Sequence, residues 1–146
     1  METTRKVTQS QIDFGRRLGL ELSEKSIGVA HAMIQDAIKR SFFGKNDLGS
    51  PTPKQIELAM KFGFDVRHET RGVGDATITD IMNDLNCRAI VEQKLAVGVR
   101  VRNKHDTLNR EWVISSISTD GTVYFRGGNG ARAWARSLVR IATDEQ

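Results

Sequence analysis

Over the first ninety residues the apolar positions recur at helical spacing. Val29, Ala32, Met33 and Ala37 share one helix face, and Val73, Ala76, Ile81 and Leu85 share another. Leu20 and Leu22, like Phe64 and Val66, alternate with polar residues and predict short extended links ahead of those helices. After Asn86 the period changes to two. "LAVGVRVRNK" sets Val97, Val99 and Val101 against Gly98, Arg100 and Arg102, the pattern of a half-exposed strand. "REWVISSIS" puts Trp112 and Ile114 at period two, followed by Ile117. "TVYFR" places Val123 and Phe125 on one face and Tyr124 and Arg126 on the other, after a "TDGT" hairpin turn. "SLVRI" supplies a fifth short element. The pattern predicts an α+β chain, with a helical part over residues 1–90 and a small five-stranded β-barrel over 93–146. Trp112 and Phe125 are expected to face inward in the barrel.

The helical part contains an internal match. Residues 8–38 align without a gap on residues 52–82 at an offset of 44, and nine of the 31 positions are identical where chance gives roughly two. The identical pairs are Thr8/Thr52, Gln11/Gln55, Ile12/Ile56, Gly19/Gly63, Gly28/Gly72, Val29/Val73, Ala32/Ala76, Ile34/Ile78 and Asp36/Asp80. Thr-x-x-Gln is a capping box, and Pro53 suits a first helical position. Gly19 and Gly63 suit a left-handed residue after a helix, and Ser26 and Thr70 suit N-caps of a second one. Two tandem helix–link–helix repeats, at 8–39 and 52–86, are therefore expected. Asp36 and Asp80 are expected as exposed helix-face charges rather than a metal site. Phe42 and Phe43, in the linker, are expected as core plugs or as packing between the copies.

Each copy resembles the SAP motif, a short helix–link–helix module with a glycine at its turn that commonly binds DNA. It is also similar to small helical segments beginning Thr-x-x-Gln-Ile in bacterial DNA-processing proteins. The second helices carry "HAMIQDAIKR" and "DATITDIMND" where SAP motifs have a basic run, so contacts by analogy fall on Arg16, Arg17 and Lys25 of the first copy.

Charge sharpens the division. Residues 1–92 hold 13 Lys/Arg and 13 Asp/Glu, whereas residues 93–146 hold 9 and 5, so the whole net charge of +4 belongs to the β module. A small basic module is an electrostatic footprint for a phosphate backbone. Cys87 is the single cysteine, which leaves no internal disulfide and suits a reducing cytoplasm. His31, His68 and His105 stand at no zinc spacing, so neither a metal nor another cofactor is expected. No apolar run is long enough to span a membrane, and "METTRKVTQSQ" lacks the apolar core of a signal peptide.

The β module resembles the SH3-like barrels, including Tudor and KOW modules, over residues 95–141. "VGVRVR" matches an opening strand, "EWVISSISTDGTVYFRGG" a central hairpin and "ARSLVRI" a closing turn and strand. The resemblance implies a barrel that binds nucleic acid or protein. The stretch "GGNGARA" includes Gly128-x-Gly130-x-x-Ala133, part of a dinucleotide-binding fingerprint, but the flanking strands leave no room for the crossover helix this chemistry needs. No P-loop and no Gly-x-Ser-x-Gly is present, and one cysteine with scattered histidines is no nucleophile–base pair. A non-enzyme is expected.

Candidate contacts to nucleic acid, DNA or RNA, are Arg100, Arg102, Lys104, Arg110, Arg126, Arg132, Trp134 and Arg136. They could converge on one surface of the barrel. Trp134 is expected either to plug the barrel mouth or to stack on a base. The sequence thus predicts a non-catalytic nucleic-acid-binding protein with the helical repeats as scaffold or second contact. The alternative is an adaptor or inhibitor of a nucleic-acid-processing complex, of the anti-CRISPR kind that phages and plasmids encode.

Overall fold

The computed structural model describes residues 6–127 and 129–142. Four helices come first: α1 (Gln9–Arg17), α2 (Ile27–Phe43), α3 (Pro53–Lys61) and α4 (Arg71–Glu92). Five strands follow: β1 (Arg100–Asn103), β2 (Glu111–Ile117), β3 (Thr122–Phe125), β4 (Arg132–Trp134) and β5 (Leu138–Arg140), with a single-turn 3-10 helix (Ala135–Ser137) before the last. The described chain divides into two compact units, one over 6–82 and one over 83–142, so the division falls inside α4. Among the described residues no helix is long and apolar enough to cross a membrane.

In the first unit the helix starts are fixed locally. Thr8 Oγ1 accepts from the Gln11 amide at 3.1 Å while the Thr8 amide donates to Gln11 Oε1 at 3.0 Å. Thr52 and Gln55 repeat this at 3.2 and 2.9 Å, with Pro53 in the first turn. Both helices end at glycines with left-handed backbone, Gly19 at φ 82° and Gly63 at φ 87°, which spares the steric cost a side chain would carry there. The links then turn inward. Leu22 is fully buried with Ala30 and Ile34, and Val7, Leu18, Leu20, Met33 and Ile38 pack around them. Burying a side chain the size of Leu22 contributes on the order of 2 kcal/mol. Gly15 makes room for it: a Cβ there would lie 2.5 Å from Leu22 Cδ1. At the matching positions of the second segment, Ala59 and Val66 are both buried, so the larger helix residue accompanies the smaller link residue.

Two expectations for this unit are corrected. Asp36 and Asp80 are not exposed helix-face charges: Asp36 is 6% exposed and Asp80 is half-buried. Ser26 Oγ, which caps α2, donates to Asp80 Oδ2 at 2.6 Å, and Thr70 Oγ1, which accepts from the Val73 amide at the start of α4, donates to Asp36 Oδ2. The two helix–link–helix segments therefore exchange hydroxyl–carboxylate contacts. A Cβ on Gly28 would reach Asp80 Oδ1 at 3.7 Å, and one on Gly72 would reach Asp36 Oδ1 at 3.6 Å. Phe42 and Phe43 are not core plugs or inter-copy packing. They end α2 at 71% and 77% exposure, because the left-handed Gly44 turns the chain away directly after them.

In the second unit the five strands make one antiparallel sheet in the order β4-β3-β2-β1-β5. The five-stranded barrel expected from the sequence is an open sheet in its pairing, because the three-residue edges β4 and β5 share no ladder. Val101, Ile114, Val123, Phe125, Ala135, Leu138 and Leu95 form the core, with Ala89 and Ile90 of α4 packed on it. Val97, expected inward, is exposed. Gly98, at φ 90°, breaks the alternation, and sheet pairing begins with its amide on the Ile114 carbonyl at 2.9 Å. The jump from Ile114 to Ile117 in the apolar pattern is a register shift in β2 between Ile114 and Ser116.

Asn86, on α4 and nearly fully buried, ties this unit together. Its Oδ1 accepts from the Arg136 amide at 3.1 Å and from Arg136 Nη1 at 3.2 Å, and its Nδ2 donates to the Asp120 carbonyl at 3.4 Å. Gly121, in the β2–β3 turn at φ 90°, lies so close that a Cβ would sit 2.5 Å from the Asn86 side chain.

Candidate nucleic-acid interface

The strand ladders place each candidate side chain. Val101 faces Trp112 on the core side, so Arg100 and Arg102 stand on the outer face opposite Val113 and Glu111. At the other edge Tyr124 pairs with Arg132 and Thr122 with Trp134, which sets Arg132 and Trp134 on the outer face as well. β4 and β1 are separated by β3 and β2, a span of about 14 Å at ordinary strand spacing. Arg100 and Arg102 on β1 are thus separated from Arg132 and Trp134 on β4, while Arg126, whose amide donates to the Val113 carbonyl opposite Arg100, lies toward β1.

On β1, Arg100 is engaged: its Nη2 meets Glu111 Oε1 at 2.6 Å. Arg102 beside it is exposed and makes no ion pair among the described residues. Arg136 stacks on Trp134, with the guanidinium carbon 5.0 Å from the ring centroid, and burial lowers its pKa. Trp134 is 44% exposed, so of its two expected placements the plug of the barrel mouth does not hold. Lys104 Nζ donates to the Arg136 carbonyl at 3.1 Å. Arg126, in the turn after β3, extends over Gly98, where a Cβ would lie 3.9 Å from its Nη2. Arg126 and Arg132 are exposed and make no ion pair among the described residues. Gly128, between them in sequence, lies outside the described residues.

The loop between β1 and β2 carries Arg110. Asp106 organises this loop: its Oδ1 accepts from the Leu108 amide at 3.0 Å, and its Oδ2 accepts from the Arg110 amide at 3.2 Å and Arg110 Nε at 3.0 Å. These bonds, led by the Leu108 amide, hold the Asp106 pKa below the ordinary aspartate value. The Arg110 guanidinium carbon is thereby placed 5.8 Å from the Trp112 ring centroid. Trp112 in turn stacks on Phe125, centroids 5.1 Å apart.

Between this loop and β4 opens a cleft of about 570 Å³. Trp112, Phe125, Ala131 and Ala133 give it an apolar lining, with Asp106, Leu108, Arg110 and Arg132 around them. The cleft escaped sequence reasoning. Strand alternation marks Trp112 and Phe125 as inward, and Phe125 is buried in the core with Trp112 packed against it, yet both also line the cleft. The available signal was the polar, flexible composition of the 103–110 stretch, which leaves little apolar material to cover them. Among the described residues, no group of three or more His, Cys, Asp or Glu is placed to hold a metal ion.

No family model, no curated protein and no solved structure matches the chain. The functional reading rests on the geometry of these side chains.

Proposed function

We propose that this chain is a non-catalytic nucleic-acid-binding protein whose second unit contacts the phosphate backbone. The observation that carries the reading is the trio Arg102, Arg126 and Arg132, exposed and without an ion pair among the described residues, within the stretch 93–146 whose sequence holds 9 Lys/Arg against 5 Asp/Glu. An arginine without a carboxylate partner gives up no ion pair when it meets a phosphate, and its planar fork suits bidentate contact. The Trp134–Arg136 stack adds a flat surface next to Arg132. We read the unit as an SH3-like module. The strand order, the long loop between β1 and β2 and the 3-10 turn before β5 support that reading. We read the first unit as a duplicated helix–link–helix element serving as scaffold. Its shared capping boxes and exchanged Ser/Thr–Asp contacts support that.

The test is a salt series on the full chain with DNA and RNA oligonucleotides. Affinity is expected to fall steeply as salt rises. Converting Arg102, Arg126 and Arg132 together to alanine is expected to flatten the log–log slope by about three. Affinity that is absent or independent of salt would sink the reading.

A second reading, a protein-binding adaptor, is favoured by one observation in the first unit. Phe14, Phe42, Phe43, Phe62 and Phe64 are all exposed there. Aromatic side chains in that number are what protein interfaces use as anchors. A pull-down that retains a discrete protein after nuclease treatment, and loses it with Phe42→Ser plus Phe43→Ser, would decide for the adaptor.

A further inference from the structure

The cleft beside β4 is not needed for backbone contacts, and its chemistry selects a ligand. Its volume of about 570 Å³ lies in the range of small-molecule sites. Its apolar lining, the stacked Trp112–Phe125 pair with Ala131 and Ala133, calls for a flat or apolar group. Its one carboxylate, on Asp106, is occupied by two amides and the Arg110 guanidinium, so it offers no charge to a cation. The Arg110 guanidinium already lies over the Trp112 ring. A methylated ammonium ligand would meet Arg110 where it needs an aromatic face, with Arg132 as a further like charge.

A planar neutral group meets none of these obstacles. It can stack against the guanidinium plane or the indole, and Asn103, His105 and Thr107 supply donors and acceptors for a polar edge. Arg132, exposed and without an ion pair among the described residues, lines the cleft, which suits an anionic group attached to that plane. A planar group with a polar edge and a neighbouring negative charge is a nucleotide. A base stacked within a duplex cannot enter a concave cleft without leaving its stack. We propose that this cleft takes one unstacked base of a single-stranded nucleic acid, with Arg132 on the adjoining phosphate. The proposal rests on the nucleic-acid reading above and assigns the second unit a strand preference.

The test compares two ligands of equal phosphate count on the full chain, in DNA and RNA versions. One is a short single strand of mixed sequence, and the other is the same strand with every base replaced by an abasic site. Affinity is read by anisotropy. Base contact is read by tryptophan emission in Trp134→Phe, which leaves Trp112 as the one tryptophan. The base-bearing strand is expected to bind about tenfold more tightly than the abasic one and to quench Trp112, while the abasic strand leaves that emission unchanged. Equal affinities with unchanged Trp112 emission overturn the base-binding cleft and leave the phosphate reading standing. Absence of binding to every strand at low ionic strength overturns the phosphate reading, and the cleft proposal with it.

Discussion

The two units handle polar and aromatic side chains in opposite ways. The helical unit buries a carboxylate, Asp36, and leaves five phenylalanines exposed. The sheet unit stacks Trp112 on Phe125 of its core and sends Arg100, Arg102 and Arg132 outward. Small residues accompany the first arrangement. Gly15 leaves room for the Leu22 side chain, Gly28 and Gly72 lie against the Asp80 and Asp36 carboxylates, and Ala30 and Ala59 are fully buried, so small side chains and hydroxyl–carboxylate contacts fill this interior. Strand alternation explains the second, because each strand must give one face to the core and one to water. What the units expose follows from how each is held together: apolar rings on one, guanidinium groups on the other.

Four predictions test that contrast. The largest effect is expected from Gly121→Ala, which forces a Cβ onto the Asn86 side chain at a left-handed backbone position. It should destabilise the sheet unit by about 3 kcal/mol. Both tryptophans lie in that unit, so urea unfolding followed by tryptophan emission should shift while the helical signal in circular dichroism shifts less. Next comes Asp36→Ala, which leaves the Thr70 hydroxyl without its acceptor and should cost the helical unit about 2 kcal/mol. Asp36→Asn keeps an acceptor and should recover most of the loss. Equal effects of the two changes would mean that the contact carries no stability.

A smaller effect, about 1 kcal/mol, is expected from Gly15→Ala, because its Cβ would lie 2.5 Å from Leu22 Cδ1. Leu22→Val added to it reproduces the Ala59 and Val66 combination of the second segment and should restore stability. A double-mutant cycle that finds the two changes additive would refute the compensation.

The smallest effect concerns acid. Burial raises the Asp80 pKa, against the hydrogen bond from Ser26 that lowers it. The folded helical unit therefore binds a proton more readily than the unfolded chain does, whose aspartates titrate near about 3.9. This contribution is most favourable below that value and declines as pH rises through the higher folded one. Asp106 and Asp120 in the sheet unit have lowered values, so their contribution is present above the ordinary aspartate range and fades as pH falls through their folded values. Subtracting the pH–stability curve of Asp80→Asn from that of the parent should isolate a term that grows toward acid. A flat difference would refute it.

Local chemistry was legible in the sequence where neighbours decide the outcome. The capping boxes at Thr8 and Thr52 and the left-handed Gly19 and Gly63 each need only residues within one turn. The outward side chains of Arg100 and Arg102 followed from alternation alone. The partners of Asp36 and Asp80 did not, because they lie 34 and 54 residues away. Their signal was nevertheless present, since Ser26/Thr70, Gly28/Gly72 and Asp36/Asp80 recur together at one offset. Strand order was not legible. Without it Arg100 and Arg132 could not be placed apart, nor could the loop over 103–110 be placed against Trp112.

The crossed Ser26–Asp80 and Thr70–Asp36 contacts carry one further consequence. Each segment presents both a hydroxyl and a carboxylate, and each group is answered by its opposite number, which is the logic of an isologous contact between two identical subunits. Here the residues between Phe43 and Pro53 tether the partners. An encounter that would depend on protein concentration becomes an intramolecular closure at fixed effective molarity. Dilution cannot separate the halves, and a cut in that tether would make their association bimolecular.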